Sequence, residues 1–143
     1  MSDLIIYTDG ASRGNPGRAA IGVVIRDGAG RALKQFGECI GVTTNNVAEY
    51  TAILRALEEA KKLIPANERK VTTVELRLDS ELAARQLGGV YKVKNKGLYE
   101  LYIQIHNMRV NDFPNLTFTH VRRELNTDAD ALANSALDAT MRT

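Results

Sequence analysis

A chain of 143 residues, 44% apolar and 25% charged, is long enough to close one well-buried core, so a single domain spanning 1–143 is expected. The formal net charge of +2 excludes a strong global field, and any polyanion must be held by a local arrangement of Lys and Arg. One cysteine, Cys39, and two histidines, His106 and His120, exclude an internal disulfide and any zinc site without carboxylates, while the absence of ~18 consecutive apolar residues or a basic-then-apolar N-terminus points to a soluble cytoplasmic protein.

Leu4-Ile5-Ile6-Tyr7-Thr8 is apolar and β-branched and predicts a central strand covered on both faces. Gly10 to Gly17 is predicted as a loop closed by Asn-Pro-Gly. Ala20–Arg26 and Arg31–Ile40 read as the next strands, joined by Asp27-Gly28-Ala29-Gly30, with Leu33, Phe36 and Ile40 turned inward. These three strands make an antiparallel meander. Val47, Tyr50, Leu54, Leu57 and Ile64 recur at helical spacing and predict a helix over 46–63. A fourth strand over 73–78, a short helix over 80–87 ended by Gly88-Gly89, and a helix over 96–110 follow. A fifth strand over 116–121 and a last helix over 127–138 complete the chain. The order βββαβααβα predicts an α/β fold with a mixed sheet and helices on both faces.

Four acids stand at the punctuation points of this pattern: Asp9, Glu49, Asp79 and Asp130. Each has a local explanation. Asp9 precedes Gly10 as in many turns. Glu49 and Asp130 have capping-box spacing from Asn46 and Thr127, and Asp79 can cap the helix that begins at Ser80. Together they read differently. Asp9 and Asp79 are expected at strand ends and Glu49 and Asp130 in first helical turns, and Glu49 shares a helix face with Ile53 and Ala56. Strand ends of an α/β sheet gather distant residues into one site. Clustered carboxylates need cations, and an all-oxygen ligand set suits Mg²⁺ or Mn²⁺.

The segments Thr8-Asp9-Gly10-Ala11-Ser12-Arg13-Gly14-Asn15-Pro16-Gly17, Thr44-Asn45-Asn46-Val47-Ala48-Glu49-Tyr50, Asp79-Ser80 and Asn126-Thr127-Asp128-Ala129-Asp130-Ala131-Leu132-Ala133-Asn134 resemble the signature blocks of type 1 ribonuclease H. The resemblance runs from about Asp3 to Leu137 and implies a ribonuclease H-like fold: a five-stranded mixed sheet, three antiparallel strands then two parallel, flanked by helices. It implies an endoribonuclease that cuts the RNA strand of RNA–DNA hybrids by two-metal-ion hydrolysis, leaving 5′-phosphate and 3′-hydroxyl ends. The ions, Mg²⁺ with Mn²⁺ as a substitute, sit roughly 3.5–4 Å apart in such sites. On this resemblance Asp9, Glu49, Asp79 and Asp130 are catalytic metal ligands, with Asp9 bridging, Glu49 and Asp79 on the nucleophile side and Asp130 on the other ion.

An auxiliary catalytic position is open between His120, ten residues before Asp130 but inside the fifth strand, and Arg123 in the segment that follows. His106 reads as structural. Ser12, Arg13, Gly14 and Asn15 form one candidate substrate surface, and Thr44, Asn45 and Asn46 another, with Glu81 reaching toward the minor groove. Many relatives carry an extra basic helix and loop; the stretch between Leu87 and Lys96 is too short for it. What remains is Lys92, Lys94 and Lys96, which point the same way if that stretch is extended. A hybrid duplex is the expected partner and a monomer the expected state. Double-stranded RNA as a further substrate, and a non-catalytic hybrid-binding module, are the competing readings.

Overall fold

In the computed structural model, residues 2–89, 92–93 and 95–141 are described. The chain runs β1 (Leu4–Gly14), β2 (Gly17–Asp27), β3 (Ala32–Thr43), α1 (Asn45–Leu63), β4 (Val74–Leu78), α2 (Glu81–Leu87), α3 (Lys96–Asn111), β5 (Leu116–His120), a 3-10 turn (Arg123–Leu125) and α4 (Thr127–Met141). The sheet order is β3-β2-β1-β4-β5. Strands β1, β2 and β3 are antiparallel, and β4 and β5 join parallel to β1. β1 is therefore central, as its unbroken Leu-Ile-Ile run predicts.

Successive side chains of a strand face opposite sides, and two glycines show which helix lies on which side. A Cβ on Gly10 would stand 2.3 Å from the Ala48 carbonyl carbon, so α1 lies against that face of β1. A Cβ on Gly22, which pairs with Asp9, would stand 1.9 Å from the Ala129 carbonyl oxygen, so α4 lies against the other. The main core fills the α1 side. Ile6, Leu76 and Leu78 of the sheet, Ile53 and Leu57 of α1, and Leu98 and Ile105 of α3 are all essentially inaccessible to solvent. Among the described residues no helix is long and apolar enough to cross a membrane.

Several sequence expectations are corrected. The 10–17 segment is not a loop. β1 continues to Gly14 and pairs residue by residue with β2 down to Gly14↔Gly17, leaving only Asn15-Pro16 as the turn. Backbone pairing to a neighbouring strand outweighs the local preference of Gly for loops. Asp9 consequently lies within β1 rather than at its end. Leu33 is 44% exposed on the edge strand β3 instead of facing inward. The cap of α1 is Thr44, whose hydroxyl accepts from the Val47 N–H at 3.3 Å, and not Asn46. Glu49 is thus the fifth helical residue, beyond the first turn and out of any capping box. Ser80, not Asp79, caps α2.

Candidate active site

The site forms where the parallel pairing stops. The last β1–β4 pair is Thr8↔Leu78, and the next residues on the two strands are Asp9 and Asp79. β1 stays paired to β2 while β4 turns into α2, so the two carboxylates are left side by side at an opening in the sheet. From the α1 face, Gly10 lets the helix backbone pack directly on the strand, which carries Glu49 beside Asp9. From the opposite face, Gly22 and Gly37 do the same for α4, which carries Asp130 in its first turn.

Oxygens of Asp9, Glu49 and Asp79 all lie within 4.8 Å of one another. Asp130 shares a hydrogen bond with Asp9 and lines the same cleft of about 370 Å³, together with Gly10, Ala11, Ser12, Asn45, Asn46, Ser80 and Arg123. Asp9 is 5% exposed and Glu49 9%. Burial, then the Asp79 charge and the hydrogen-bonded Asp130, push the Asp9 carboxyl up to about 8, with Arg123 acting weakly against them. Burial, then Asp9 and Asp79, raise the Glu49 carboxyl well above its ordinary range, opposed by the Gly10 N–H that donates to it. Glu49 Oε2 is buried with no protein partner. Arg123 is the one cation among the described lining residues; its side chain is 87% exposed and its Nε is 3.9 Å from Asp79 Oδ2. Buried carboxylates this close resist ionisation unless positive charge enters. An all-carboxylate oxygen set with an unpartnered buried oxygen fits a hard divalent cation.

The remaining sequence candidates divide. Ser12 hydrogen-bonds the Asn45 Oδ1 at 2.6 Å, and Asn15 Oδ1 accepts from the Asn45 N–H at 3.1 Å. This ties the β1–β2 hairpin to the start of α1 and makes one polar wall of Ser12, Asn45 and Asn46. Arg13 is turned away onto α4, in an ion pair with Asp138 at 2.6 Å. Gly14 makes the hairpin turn with φ +109°. Thr44 serves as the helix cap, and Glu81 pairs with Arg85 within α2; neither lines the cleft. His120 ends β5, exposed and outside the cleft lining, whereas Arg123 is in it. His106 stacks with Tyr102 on α3.

Of the three lysines, the structure describes Lys92 and Lys96. Asn95 caps α3 and Lys96 is its first helical residue, not part of an extended stretch; Lys94 lies outside the described residues. Lys92 is exposed beside a separate cavity of about 430 Å³ lined by Tyr99, Tyr102 and Ile103. Sequence reasoning gave no role to Ser80, which lines the cleft, or to Gly22 and Gly37, whose signal is only the small residue itself.

Comparison with known proteins agrees with this geometry. A family model described as reverse transcriptase-like matches residues 7–136. The chain is 42% identical over 132 residues to ribonuclease HI of Halobacterium salinarum, covering 92% of this chain. The chain belongs to the type 1 ribonuclease H family. Among solved structures, LC11-RNase H1, isolated from compost by a metagenomic approach, superposes with a TM-score of 0.92 at 48% identity and covers 99% of both chains. That protein has also been solved in complex with an RNA/DNA hybrid, with a TM-score of 0.88 over 96% of this chain and 99% of that one. The N-terminal RNase H domain of Rv2228c from Mycobacterium tuberculosis matches at 36% identity and a TM-score of 0.88, over 99% of this chain and 98% of that one. This chain spans 63% of the length of the Halobacterium protein and 36% of the bifunctional Mycobacterium one.

Proposed function

We propose that this chain hydrolyses the RNA strand of RNA–DNA hybrids with divalent metal ions, Mg²⁺ or Mn²⁺ in its place, leaving 5′-phosphate and 3′-hydroxyl ends. The observation that carries the reading is the convergence of Asp9, Glu49 and Asp79 oxygens within 4.8 Å, with Asp130 on the same cleft. The hybrid complex of the 48%-identical LC11 protein supports the substrate.

Asp9, Glu49, Asp79 and Asp130 would hold the cations, which supply an activated water and charge stabilisation at the phosphate when bound. The chain's own groups then have distinct tasks. The four carboxylates keep anionic phosphate out of the cleft until they are neutralised. Ser12, Asn45 and Asn46 offer a neutral polar wall that a sugar–phosphate backbone can approach without base readout. Arg123, long and exposed, brings positive charge beside Asp79, where phosphate charge builds up. Burial of Asp9 and Glu49 makes the cleft's charge depend on cation loading rather than on bulk solvent.

The test offers purified protein labelled RNA–DNA hybrid, double-stranded RNA and double-stranded DNA, with Mg²⁺, Mn²⁺ or a chelator. Cutting of the hybrid's RNA strand with metal, loss with chelator, and loss in a folded Asp9→Asn variant are expected. Full activity in Asp9→Asn, or hybrid binding without cleavage, rejects the reading. Equal cutting of double-stranded RNA would broaden the substrate class.

A further inference from the structure

Asn126 is 1% exposed and stands behind the cleft rather than in its lining, yet it joins the three segments that deliver Asp9, Asp130 and Arg123. Its Nδ2 donates to the Thr8 carbonyl at 2.9 Å, the peptide that leads into Asp9. Its carbonyl accepts from the Asp130 N–H at 3.1 Å, and its own N–H donates to the Arg123 carbonyl at 3.0 Å. The β1–β4 ladder has ended at Thr8↔Leu78. On the β4 side, the Leu78 carbonyl that leads into Asp79 is taken by the Val121 N–H at 2.9 Å. On the β1 side no further strand is available, and the Asn126 amide takes that place. Each acid at the opening is therefore preceded by a carbonyl anchored from the segment between β5 and α4.

The Asn126 side chain is held for this one bond. Its Oδ1 is buried without a protein partner, and an unpaired buried acceptor opposes folding.

Resting on the metal-dependent reading above, we infer that Asn126 is a positioning residue that fixes Asp9 against Asp130 and Arg123, and so sets how well the cleft accepts divalent cations. Residues that orient metal ligands typically change affinity or activity by about 10- to 100-fold when replaced.

Asn126→Ser shortens the side chain and loses the reach to Thr8 while staying small and polar; Asn126→Ala removes the donor altogether. Thr72→Val is the control: it removes a buried hydroxyl's 2.7 Å bond to the Glu68 carbonyl, away from the cleft. Three quantities are read: Mg²⁺ affinity of the substrate-free protein by calorimetry, kcat and KM on hybrid, and Tm. Asn126→Ser and Asn126→Ala should weaken Mg²⁺ and lower kcat by about 10- to 100-fold, with KM within about twofold. Thr72→Val should lower Tm alone. A folded Asn126→Ser with wild-type Mg²⁺ affinity and kcat overturns the inference, as does failure of both variants to fold, which makes the residue purely structural. Wild-type protein that binds Mg²⁺ but leaves hybrid intact would sink the nuclease reading, and calorimetry would still decide Asn126.

Discussion

Gly22→Ala tests whether α4 docking sets the site, because the added methyl touches the helix and not the cleft. Its Cβ would lie 1.9 Å from the Ala129 carbonyl oxygen, 2.8 Å from that carbonyl's carbon and 3.0 Å from the Ala133 nitrogen. All three are backbone atoms of one helix, so no side chain can swing aside. The helix must retreat until the oxygen is at least 3.0 Å away, a shift of about 1.1 Å in a core packed at crystal density. Asp130 follows Ala129 and moves with it, away from Asp9. A misplacement of about 1 Å can cost roughly 100-fold in rate, so a fall in kcat of about 10- to 100-fold is expected. Overpacking of this kind costs about 1–3 kcal/mol; at roughly 3–4 °C per kcal/mol for a domain of this length, Tm should drop by about 3–12 °C. The assay is steady-state cleavage of labelled hybrid with Mg²⁺, run well below the lowered Tm, beside a thermal melt. Gly30→Ala is the control: φ +91° with no neighbour within 4 Å strains the backbone by about 1–2 kcal/mol without touching α4, and should lower Tm with kcat unchanged. A folded Gly22→Ala protein with wild-type kcat would refute the claim that this contact holds Asp130 in place.

Metal-free protein should lose stability as pH rises from about 4 to about 8. The folded Asp9 pKa of about 8 lies above its ordinary 3.8, so the folded state holds the proton more tightly than the unfolded one and that advantage disappears once Asp9 ionises. Thermal melts across this range in chelator should show the decline, saturating Mg²⁺ should flatten it, and Asp9→Asn should reduce it; a pH-independent Tm in chelator contradicts the raised carboxyl. Glu59 is the opposite case. Held by Lys34 and by Lys62 at 2.7 Å, it has a carboxyl pulled down to about 2 by those two ammonium groups. Its contribution is full above its ordinary 4.5 and lost as pH falls toward 2, so Glu59→Gln should lower Tm at pH 7 and change little near pH 2, with kcat intact. Arg123→Ala should lower kcat roughly fivefold, the scale of one charge at about 4 Å in a solvated setting, and more than His120→Ala does; the reverse ranking in hybrid-cleavage assays would return the auxiliary role to the strand-end histidine.

The alternation and helical periods of the sequence were enough to place five strands and four helices in order, because each long segment carries its own amphipathic signal. The misreadings share one cause. At Gly10–Gly17, Leu33 and Asn46, the preference of a single residue yields to its partner: a paired strand, an edge position or an adjacent cap. β2 holds Ser12 and Arg13 in strand geometry. The edge position of β3 leaves Leu33 in solvent. Thr44 caps α1 and so releases Asn45 and Asn46 to face the cleft.

The four acids were legible as a set because of their joint placement, since strand ends and helix starts gather at one edge of an α/β sheet. Were Glu49 a capping-box partner, it would lie in the first helical turn and exposed; it lies one turn further on, 9% exposed, with an oxygen unpaired. Were Asp79 the cap of α2, the Ser80 hydroxyl would not make that bond to the Ala83 N–H at 3.2 Å. The structure thus removes the local explanations for Glu49 and Asp79 and leaves buried carboxylates facing one another. Their burial beside one another opposes folding, as the raised Asp9 and Glu49 carboxyls show. Glycines at 10, 22 and 37 that permit backbone-to-backbone contact bring the helices close enough to make that repulsion worse. On the metal-dependent reading, a fold built this way should gain stability when divalent cations enter the cleft, which the melts with and without Mg²⁺ measure.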